Sequence, residues 1–292
     1  MHKVLITGAK GQVGSELLKA LPKGFTAIAL DSTELNITDQ QQVTAVIAQH
    51  KPDLIINAAA YTAVDKAESD SATAFAVNEQ GVAWLAQGAQ EAGIPLFHIS
   101  TDYVFDGNAT TPYKENDPVN PQSIYGASKL AGEQILSSTL NQHIILRTSW
   151  VFGATGNNFV KTMLRLAAER DELSVVADQY GCPTSANSIA GVLWQLAQMY
   201  LASGHLPWGV YHFSNSPACT WYDFACEIFK QAASMQLLET VPTVQAITTA
   251  EYPTAAHRPA WSVLHTEKIE HLLQAKTPNW QQQLRQVLQE LH

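Results

Sequence analysis

The chain has little cysteine and no long apolar run, and both shortages exclude classes of protein. Its three cysteines, Cys182, Cys219 and Cys226, form neither a C-x-x-C pair nor a zinc-binding spacing with histidine, so we expect free thiols in a reducing compartment. No run reaches the roughly 18 apolar residues of a membrane-spanning helix. Because the first residues also lack the apolar segment of a signal peptide, we expect a cytoplasmic protein without a membrane partner.

Positive charge is scarce as well. The 292 residues include 17 Lys and Arg against 26 Asp and Glu, which gives a formal net charge of −9. Proteins that bind a phosphate backbone normally carry a basic patch, so we expect no nucleic-acid partner. With 46% hydrophobic residues, the chain can bury the core of one large domain or of two modest ones.

A glycine-rich stretch stands at the start of the chain. Residues 4–6 are an apolar run typical of a buried strand, and from Val13 the apolar spacing changes to that of one helical face. Gly8, Gly11 and Gly14 lie where the spacing changes. Glycines at such a place permit a tight turn and let backbone N–H groups approach a pyrophosphate at the helix N-terminus. A plain surface turn would show the same glycines, so they do not decide the matter alone.

The next strand favours dinucleotide binding. Residues 26–30 are typical of a strand, and Asp31 ends it about 20 residues beyond the glycines. A carboxylate at that place can accept hydrogen bonds from a ribose.

Strands and helices alternate through the first half of the chain. We predict further strands over residues 53–57, 96–100 and 143–149, and helices from the N-cap at Thr38 and Asp39, over 71–92 and from near 122. This alternation predicts an α/β fold with a Rossmann-type doubly wound parallel sheet, whose ligands bind at the carboxyl ends of the strands. The small side chains of Ala58, Ala59 and Ala60 suit the floor of a cofactor cleft.

From Trp150 onward the alternation loosens, which suggests a smaller C-terminal substrate-binding lobe. We predict helices over 159–169, 188–201 and 280–291, and a strand over 210–213 that returns to the main sheet. The dinucleotide-binding domain would then comprise residues 1–150 and about 186–215. The lobe would comprise about 151–185 and 216–292.

Tyr125 and Lys129 lie four residues apart and therefore on one helical face. An adjacent ammonium can lower the pKa of a phenol, which makes tyrosine usable as an acid near neutral pH. Such pairs also occur by chance on solvated helices. Here the helix follows the strand that ends at Thr101, so a second hydroxyl can reach the same substrate oxygen.

These features, in this order, resemble the extended short-chain dehydrogenases/reductases: Gly8-x-x-Gly11-x-x-Gly14, Thr101 and Tyr125-x-x-x-Lys129. Further blocks are similar to the branch of this family that reduces the C4 ketone of dTDP-4-dehydro-L-rhamnose to dTDP-L-rhamnose. They cover residues 57–68, 100–105, 147–150, 156–159, 178–184 and 258–259.

The resemblance implies roles for particular residues. Tyr125 would donate a proton to the C4 oxygen, Lys129 would hold the nicotinamide ribose and tune the phenol, and Thr101 would bind the carbonyl. The implied cofactor-binding residues are Gly8, Lys10, Gly11, Gln12, Val13, Gly14, Asp31, Asn36, Ile37, Ala58, Ala59, Ala60, Tyr125 and Lys129. The implied contacts with the dTDP-sugar are Thr101, Asp102, Tyr103, Trp150, Asn158 and Arg258. Trp150 also fits a core position, and Arg258 also fits a solvated surface.

The sequence defines the cofactor and a metal site less clearly than it defines the catalytic residues. Asp31 favours NADH, whereas Lys10 could reach the 2′-phosphate of NADPH, so we expect both cofactors to be used. Asn36 stands where relatives often have aspartate beside the adenine. Relatives can hold a divalent ion at a homodimer contact. Here Glu16 is retained but Asn187 replaces an acid, which argues against a metal site.

Two rival functions stay open. Similar nucleotide-sugar dehydratases carry Asp-Glu after the strand threonine, whereas this chain has Asp102 and Tyr103, which favours simple carbonyl reduction. The regulatory beta subunit of methionine adenosyltransferase, a non-catalytic partner protein, is also similar to these reductases. The intact Thr101, Tyr125 and Lys129 favour an enzyme.

Overall fold

The computed structural model describes residues 1–292, and its first half alternates strands with helices. The elements are β1 (His2–Thr7), α1 (Gln12–Lys19), β2 (Phe25–Leu30), α2 (Gln40–His50), β3 (Leu54–Asn57), α3 (Val64–Ala67), α4 (Ser71–Phe75), α5 (Gly81–Ala92), β4 (Leu96–Thr101), α6 (Ile124–Thr139) and β5 (His143–Thr148). A π-helical turn over Ala76–Gln80 joins α4 to α5, so the helix predicted over 71–92 is present but interrupted.

The second half has shorter strands. Its elements are β6 (Val151–Phe152), α7 (Phe159–Glu169), β7 (Glu172–Val176), β8 (Tyr180–Gly181), β9 (Thr184–Ser185), α8 (Ala186–Ser203), β10 (Gly209–His212), β11 (Cys219–Thr220), α9 (Trp221–Ser234), β12 (Thr243–Ile247), α10 (Glu267–Leu273) and α11 (Trp280–Leu291). No helix is both long and apolar enough to traverse a bilayer.

Six strands form the central sheet in the order β10-β5-β4-β3-β1-β2, and every neighbouring pair is parallel. The predicted doubly wound α/β fold is confirmed, including the return of β10 to the sheet beside β5. The strand order reverses at β1, because the chain moves outward to β2 and then returns to the other side as β3. Such a switch point opens a crevice at the carboxyl ends of β1 and β3.

An apolar core covers each face of this sheet. One core packs the sheet against α1 and α8, with Leu17, Leu193 and Trp194 buried. The other packs it against α2, α5 and α6, with Leu85 and Leu136 fully buried. Burial on both faces is what the near-continuous apolar strands dictate.

A third core lies in the C-terminal part of the chain. Phe152, Phe224, Phe229 and Trp280 meet there from β6, α9 and α11. The segment after residue 216 is not confined to this core, because Ile269 of α10 packs against the main sheet. The boundaries of the two predicted domains therefore stay a prediction.

Candidate active site

The glycine turn between β1 and α1 is built so closely that side chains are excluded. Gly8 has a φ of +69°, and a Cβ there would lie 2.7 Å from the backbone of Ala58 and Ala59. A Cβ on Gly14 would lie 2.2 Å from the carbonyl oxygen of Gly8. Gly11 precedes α1 as its N-cap and makes no side-chain cap, so the first N–H groups of the helix remain for a ligand. This cradle fits the diphosphate of a dinucleotide.

Asp31 lies at the end of β2 and forms an ion pair with Lys10 from the glycine turn. It also accepts hydrogen bonds from the backbone N–H (2.7 Å) and the hydroxyl (2.6 Å) of Thr33. The bonds from Lys10 and Thr33 hold the pKa of Asp31 well below its usual range. The two predicted cofactor-reading residues are thus brought together, and the lysine offsets the carboxylate charge.

Other predicted cofactor residues have structural partners of their own. Ile37 and Val13 are buried in the cores, and Asn36 Oδ1 accepts from the backbone N–H and hydroxyl of Thr38. Gln12 Oε1 accepts from Asn158 Nδ2 over 3.0 Å. Asn158 also caps α7 and donates to the carbonyl of Gly153. Cofactor contacts by these side chains, and a sugar contact by Asn158, stay predictions.

The catalytic pair forms because the start of α6 lies against the end of β4. Ser123 caps α6, and Gly126 allows close approach, since a Cβ there would lie 2.2 Å from the carbonyl oxygen of Tyr103. This packing brings the hydroxyl of Tyr125 close enough to Thr101 for the threonine to lower the pKa of the phenol. The structure therefore places the two predicted hydroxyls together at the carboxyl edge of the sheet.

Lys129 contacts two residues of β4. Its Nζ donates to the carbonyl of Ile99 over 2.7 Å and lies 3.3 Å from Nε2 of His98. Burial raises the pKa of Tyr125 to about 12, although the nearby Thr101 opposes this shift. Neither contact of Lys129 is with Tyr125, so its predicted role in tuning the phenol stays a prediction.

The next two residues extend the site. Asp102 is 3% exposed, and burial raises its pKa to about 6 although the hydroxyls of Ser262 and Thr101 oppose the shift. The Tyr103 ring meets that of Tyr125 edge to face, with 5.5 Å between the centroids. A weakly acidic carboxyl and two phenols therefore surround Thr101.

Trp150 and Arg258 already have protein partners. The Trp150 indole stacks on Trp221 with 3.5 Å between the ring centroids. Arg258 donates to Asp65 over 2.7 Å, with 28% of the arginine side chain exposed. Trp150 thus packs beside the third core, which fits the core position that the sequence also allowed. The predicted contacts of Trp150 with the sugar and of Arg258 with the diphosphate stay predictions.

Sequence reasoning missed two buried residues next to this site. Asn57 and His98 are fully buried and join Thr7 to Lys129 through polar contacts. The only signal was a polar residue near the end of each of two apolar strands.

The residues considered for a divalent ion do not fit one. Lys19 Nζ contacts carboxylates on both sides, Glu16 at 2.8 Å and Glu290 at 2.7 Å. Asn187 lines the same small cavity as Glu16 and Glu290. An ammonium between the two acids takes the position that a cation would need.

The chain is similar to named reductases over nearly its whole length. The dTDP-4-dehydrorhamnose reductase of Aggregatibacter actinomycetemcomitans is 48% identical over 98% of both chains. That of Escherichia coli K12 is 41% identical over 99% of this chain and 97% of its own. A UDP-glucose 4-epimerase from Thermus thermophilus, solved with NAD, shares the fold with a TM-score of 0.76 at 21% identity, over 99% of this chain and 98% of its own.

Two solved reductases superpose on almost the whole molecule. The dTDP-4-dehydrorhamnose reductase of Clostridium acetobutylicum has a TM-score of 0.92 at 40% identity, over 99% of both chains. The Bacillus anthracis enzyme, solved with NADP, has a TM-score of 0.90 at 38% identity, again over 99% of both. The family model described as the RmlD substrate binding domain matches residues 1–292, and the chain therefore belongs to that family.

Proposed function

We propose that this protein reduces the C4 ketone of dTDP-4-dehydro-L-rhamnose to give dTDP-L-rhamnose, with NADPH or NADH. The observation that carries the proposal is the pairing of Tyr125 with Thr101 at the carboxyl edge of the sheet, in a chain 48% identical to a named reductase. The closely built glycine turn supports cofactor use.

The two hydroxyls supply the acid chemistry. A ketone oxygen between them would accept hydrogen bonds from Tyr125 Oη and from Thr101 Oγ1, whose proton turns to the ketone from Asp102 Oδ1. These two bonds polarise the carbonyl. Tyr125 then transfers its proton, so that its O–H bond breaks while the new O–H bond at C4 forms. General acid catalysis of this kind is worth about 10²–10⁴-fold in rate. The bound nicotinamide would supply the hydride.

The remaining predicted residues would hold the substrate. Asp102 and Tyr103 border the hydroxyl pair, so they are placed to contact the sugar. Arg258 is partly exposed and would offer its guanidinium to the diphosphate. Trp150 and Asn158 would form the wall on the side of α7.

Dual cofactor use is supported by the ion pair at the end of β2. Asp31 would bind the ribose hydroxyls of NADH, and Lys10 would meet the 2′-phosphate of NADPH. The relative from Bacillus anthracis was solved with NADP.

The reaction is tested by mixing the protein with NADPH and dTDP-4-dehydro-L-rhamnose and following nicotinamide absorbance. We expect consumption that depends on both substrates. No consumption, with the cofactor shown to bind, would favour a non-catalytic regulatory role. Loss of water from dTDP-glucose to give a 4-keto-6-deoxy sugar, without net NADPH consumption, would indicate a dehydratase, although Tyr103 stands where similar dehydratases carry the additional acid.

We further propose that the protein acts in the cytoplasm as a homodimer, without nucleic-acid or membrane partners. Support for a dimer comes from Leu18 and Leu21, which are 40% and 36% exposed near the end of α1. Light scattering of the purified protein would show twice the 31.9 kDa mass of one chain. A monomer at micromolar concentration would contradict this.

A further inference from the structure

A row of buried polar side chains crosses three neighbouring strands and ends at Lys129. The parallel register places Thr7 on β1 beside Asn57 on β3, and Asn57 beside His98 on β4. Thr7 Oγ1 lies 2.6 Å from Asn57 Oδ1, Asn57 Nδ2 lies 3.0 Å from His98 Nδ1, and His98 Nε2 lies 3.3 Å from Lys129 Nζ. None of these residues is more than 2% exposed, so the groups must satisfy one another.

One backbone group fixes the direction of the hydrogen bonds. The N–H of Ala59 can only donate, and it lies 3.1 Å from Asn57 Oδ1, so the amide nitrogen of Asn57 is the atom that faces His98. That nitrogen only donates, so His98 Nδ1 must carry a lone pair. Burial lowers the pKa of His98, which keeps the ring neutral and leaves its single proton on Nε2.

His98 therefore presents an N–H group to Lys129. An ammonium has no lone pair to accept from it, whereas a neutral amine accepts from His98 Nε2 and still donates to the carbonyl of Ile99. An ammonium here would leave the N–H donor of the fully buried His98 unpaired. The row thus favours the neutral form of Lys129.

The charged groups around Lys129 do not reverse this preference. Burial lowers the pKa of Lys129 to about 8, and Glu133 opposes the shift. Glu133 is itself bound by Arg147 of β5, which reduces its effect. The other titratable groups of the elements packed against α6 do not contribute to this shift, and neither does Tyr125 on α6 itself; these groups are Asp65, Lys66, Glu68, Asp70, Glu79, His98, Asp102, Tyr103 and His143.

We propose that the row from Thr7 to His98 holds Lys129 as a neutral amine in the cofactor-free protein at alkaline pH, and that Lys129 takes up one proton when a nicotinamide cofactor binds. This inference rests on the proposed cofactor use. The cofactor brings hydroxyl oxygens that accept from an ammonium and a diphosphate whose negative charge favours it. The step forms one Nζ–H bond with a proton from solvent. Asn57 and His98 are positioning residues that act through Lys129.

The test is calorimetric titration of NADPH into Tyr125→Phe protein, in buffers of different ionisation enthalpy, from about pH 7 to 9.5. The Phe variant is used so that ionisation of the phenol cannot mask an uptake. We expect proton uptake to rise from near zero towards one per bound cofactor. Binding without a buffer-dependent enthalpy would overturn this inference and leave the proposed function intact. Absence of NADPH binding, checked by nicotinamide fluorescence, would overturn both.

Two further variants in the same Phe background test the row itself. Asn57→Asp places a carboxylate beside His98 Nδ1, which favours one additional proton on the His98–Lys129 pair before any cofactor is added. Proton uptake on NADPH binding should therefore disappear, while binding itself persists. Thr7→Val is the matched control, because it removes a hydrogen bond from the row while the N–H of Ala59 still fixes Asn57. Its uptake should equal that of the Phe parent. Equal uptake in all three proteins would overturn the role of the row.

Discussion

At the residue scale, burial sets the chemistry of the site more than exposed charge does. It raises the pKa of Asp102 to about 6 and lowers that of Lys129 to about 8, so each shift is towards the neutral form. The ion pair of Lys10 and Asp31, near the surface, is the opposite case, because both groups stay charged. Catalysis therefore depends on buried groups, whereas cofactor choice depends on an ion pair near the surface.

The stability contribution of Asp102 should depend on pH. Its pKa in the folded protein lies above the ordinary 3.8, so the folded state binds this proton more tightly than the unfolded chain does. Stability from this group is fully present below about pH 4 and is lost as the pH rises through about 6. At neutral pH, Asp102→Asn should therefore raise the free energy of unfolding by on the order of 1–3 kcal/mol.

Urea denaturation at about pH 4 and pH 7.5 measures this difference. The gain in the free energy of unfolding should shrink towards zero at the lower pH, because the carboxyl of wild-type Asp102 is then protonated and, like the amide of Asn, uncharged. A variant that is less stable than wild type at both values would show that Asp102 is held as a paired carboxylate.

Lys10→Ala should impair NADPH use more than NADH use. Removing the ammonium leaves Asp31 without its ionic partner, and the carboxylate then repels a 2′-phosphate. The measurement is kcat/KM for both cofactors in wild type and variant. We expect similar wild-type values and a several-fold selective loss with NADPH. An equal loss with both cofactors would mean that Lys10 does not read the 2′ position.

Residues tied together by local spacing could be predicted from the sequence, whereas residues tied together by strand register could not. Tyr125 and Lys129 share a helical face, and Thr101 ends a recognisable strand. Asn57 and His98 interact only because β3 and β4 pair in one particular register. No local pattern specifies that pairing.

At the element scale, long and strongly patterned segments were predicted well. Helices α7 and α11 begin and end at the predicted residues, and Asp39 caps α2 as expected. Helix α9 and the paired strands β7 and β12 were not predicted. These strands are five residues each and form a two-stranded sheet on the third core, so their pairing depends on tertiary contacts.

Two helical glycines should respond oppositely to alanine. A Cβ on Gly132 of α6 would lie 2.1 Å from the carbonyl oxygen of Asn78 in the π-helical turn, whereas one on Gly191 of α8 would meet nothing within 4 Å. Gly191→Ala should raise the free energy of unfolding by about 0.5–1 kcal/mol, because alanine favours helix. Gly132→Ala should lower it by about 1–3 kcal/mol through overpacking.

Urea denaturation of both variants under one condition decides this. Gly191→Ala serves as the control for helix propensity. Equal shifts in both variants would mean that the π-helical turn does not pack tightly on α6.

At the scale of the whole molecule, the site is assembled from segments far apart in sequence. Asn158 at the start of α7 binds Gln12 of the glycine turn, and Arg258 binds Asp65 of α3. The main sheet supplies the hydroxyl pair and the cofactor cradle, and the later segments close the site from the other side. The alternation of strands and helices was enough to predict the main sheet from the sequence. The two bridges could not be predicted in this way, because they depend on how the later segments of the chain fold back onto that sheet.

Arg258→Ala should raise the KM for the dTDP-sugar by about tenfold or more while kcat falls little, because a diphosphate is held equally before and during reduction. Steady-state kinetics with each substrate varied in turn measure this. Asp65→Ala is the control, since it removes the bridge while leaving the guanidinium for the substrate. If both variants raise the KM alike, Arg258 acts by joining segments and not by binding phosphate.

The most direct test of the central claim is isotope transfer. NADPH carrying deuterium at the transferable C4 position is incubated with dTDP-4-dehydro-L-rhamnose and either wild-type or Tyr125→Phe protein. We predict dTDP-L-rhamnose with one deuterium at sugar C4 from the wild type, and formation at least about 10²-fold slower from the Phe variant. An unlabelled product, or a Phe variant as fast as wild type, would contradict the account.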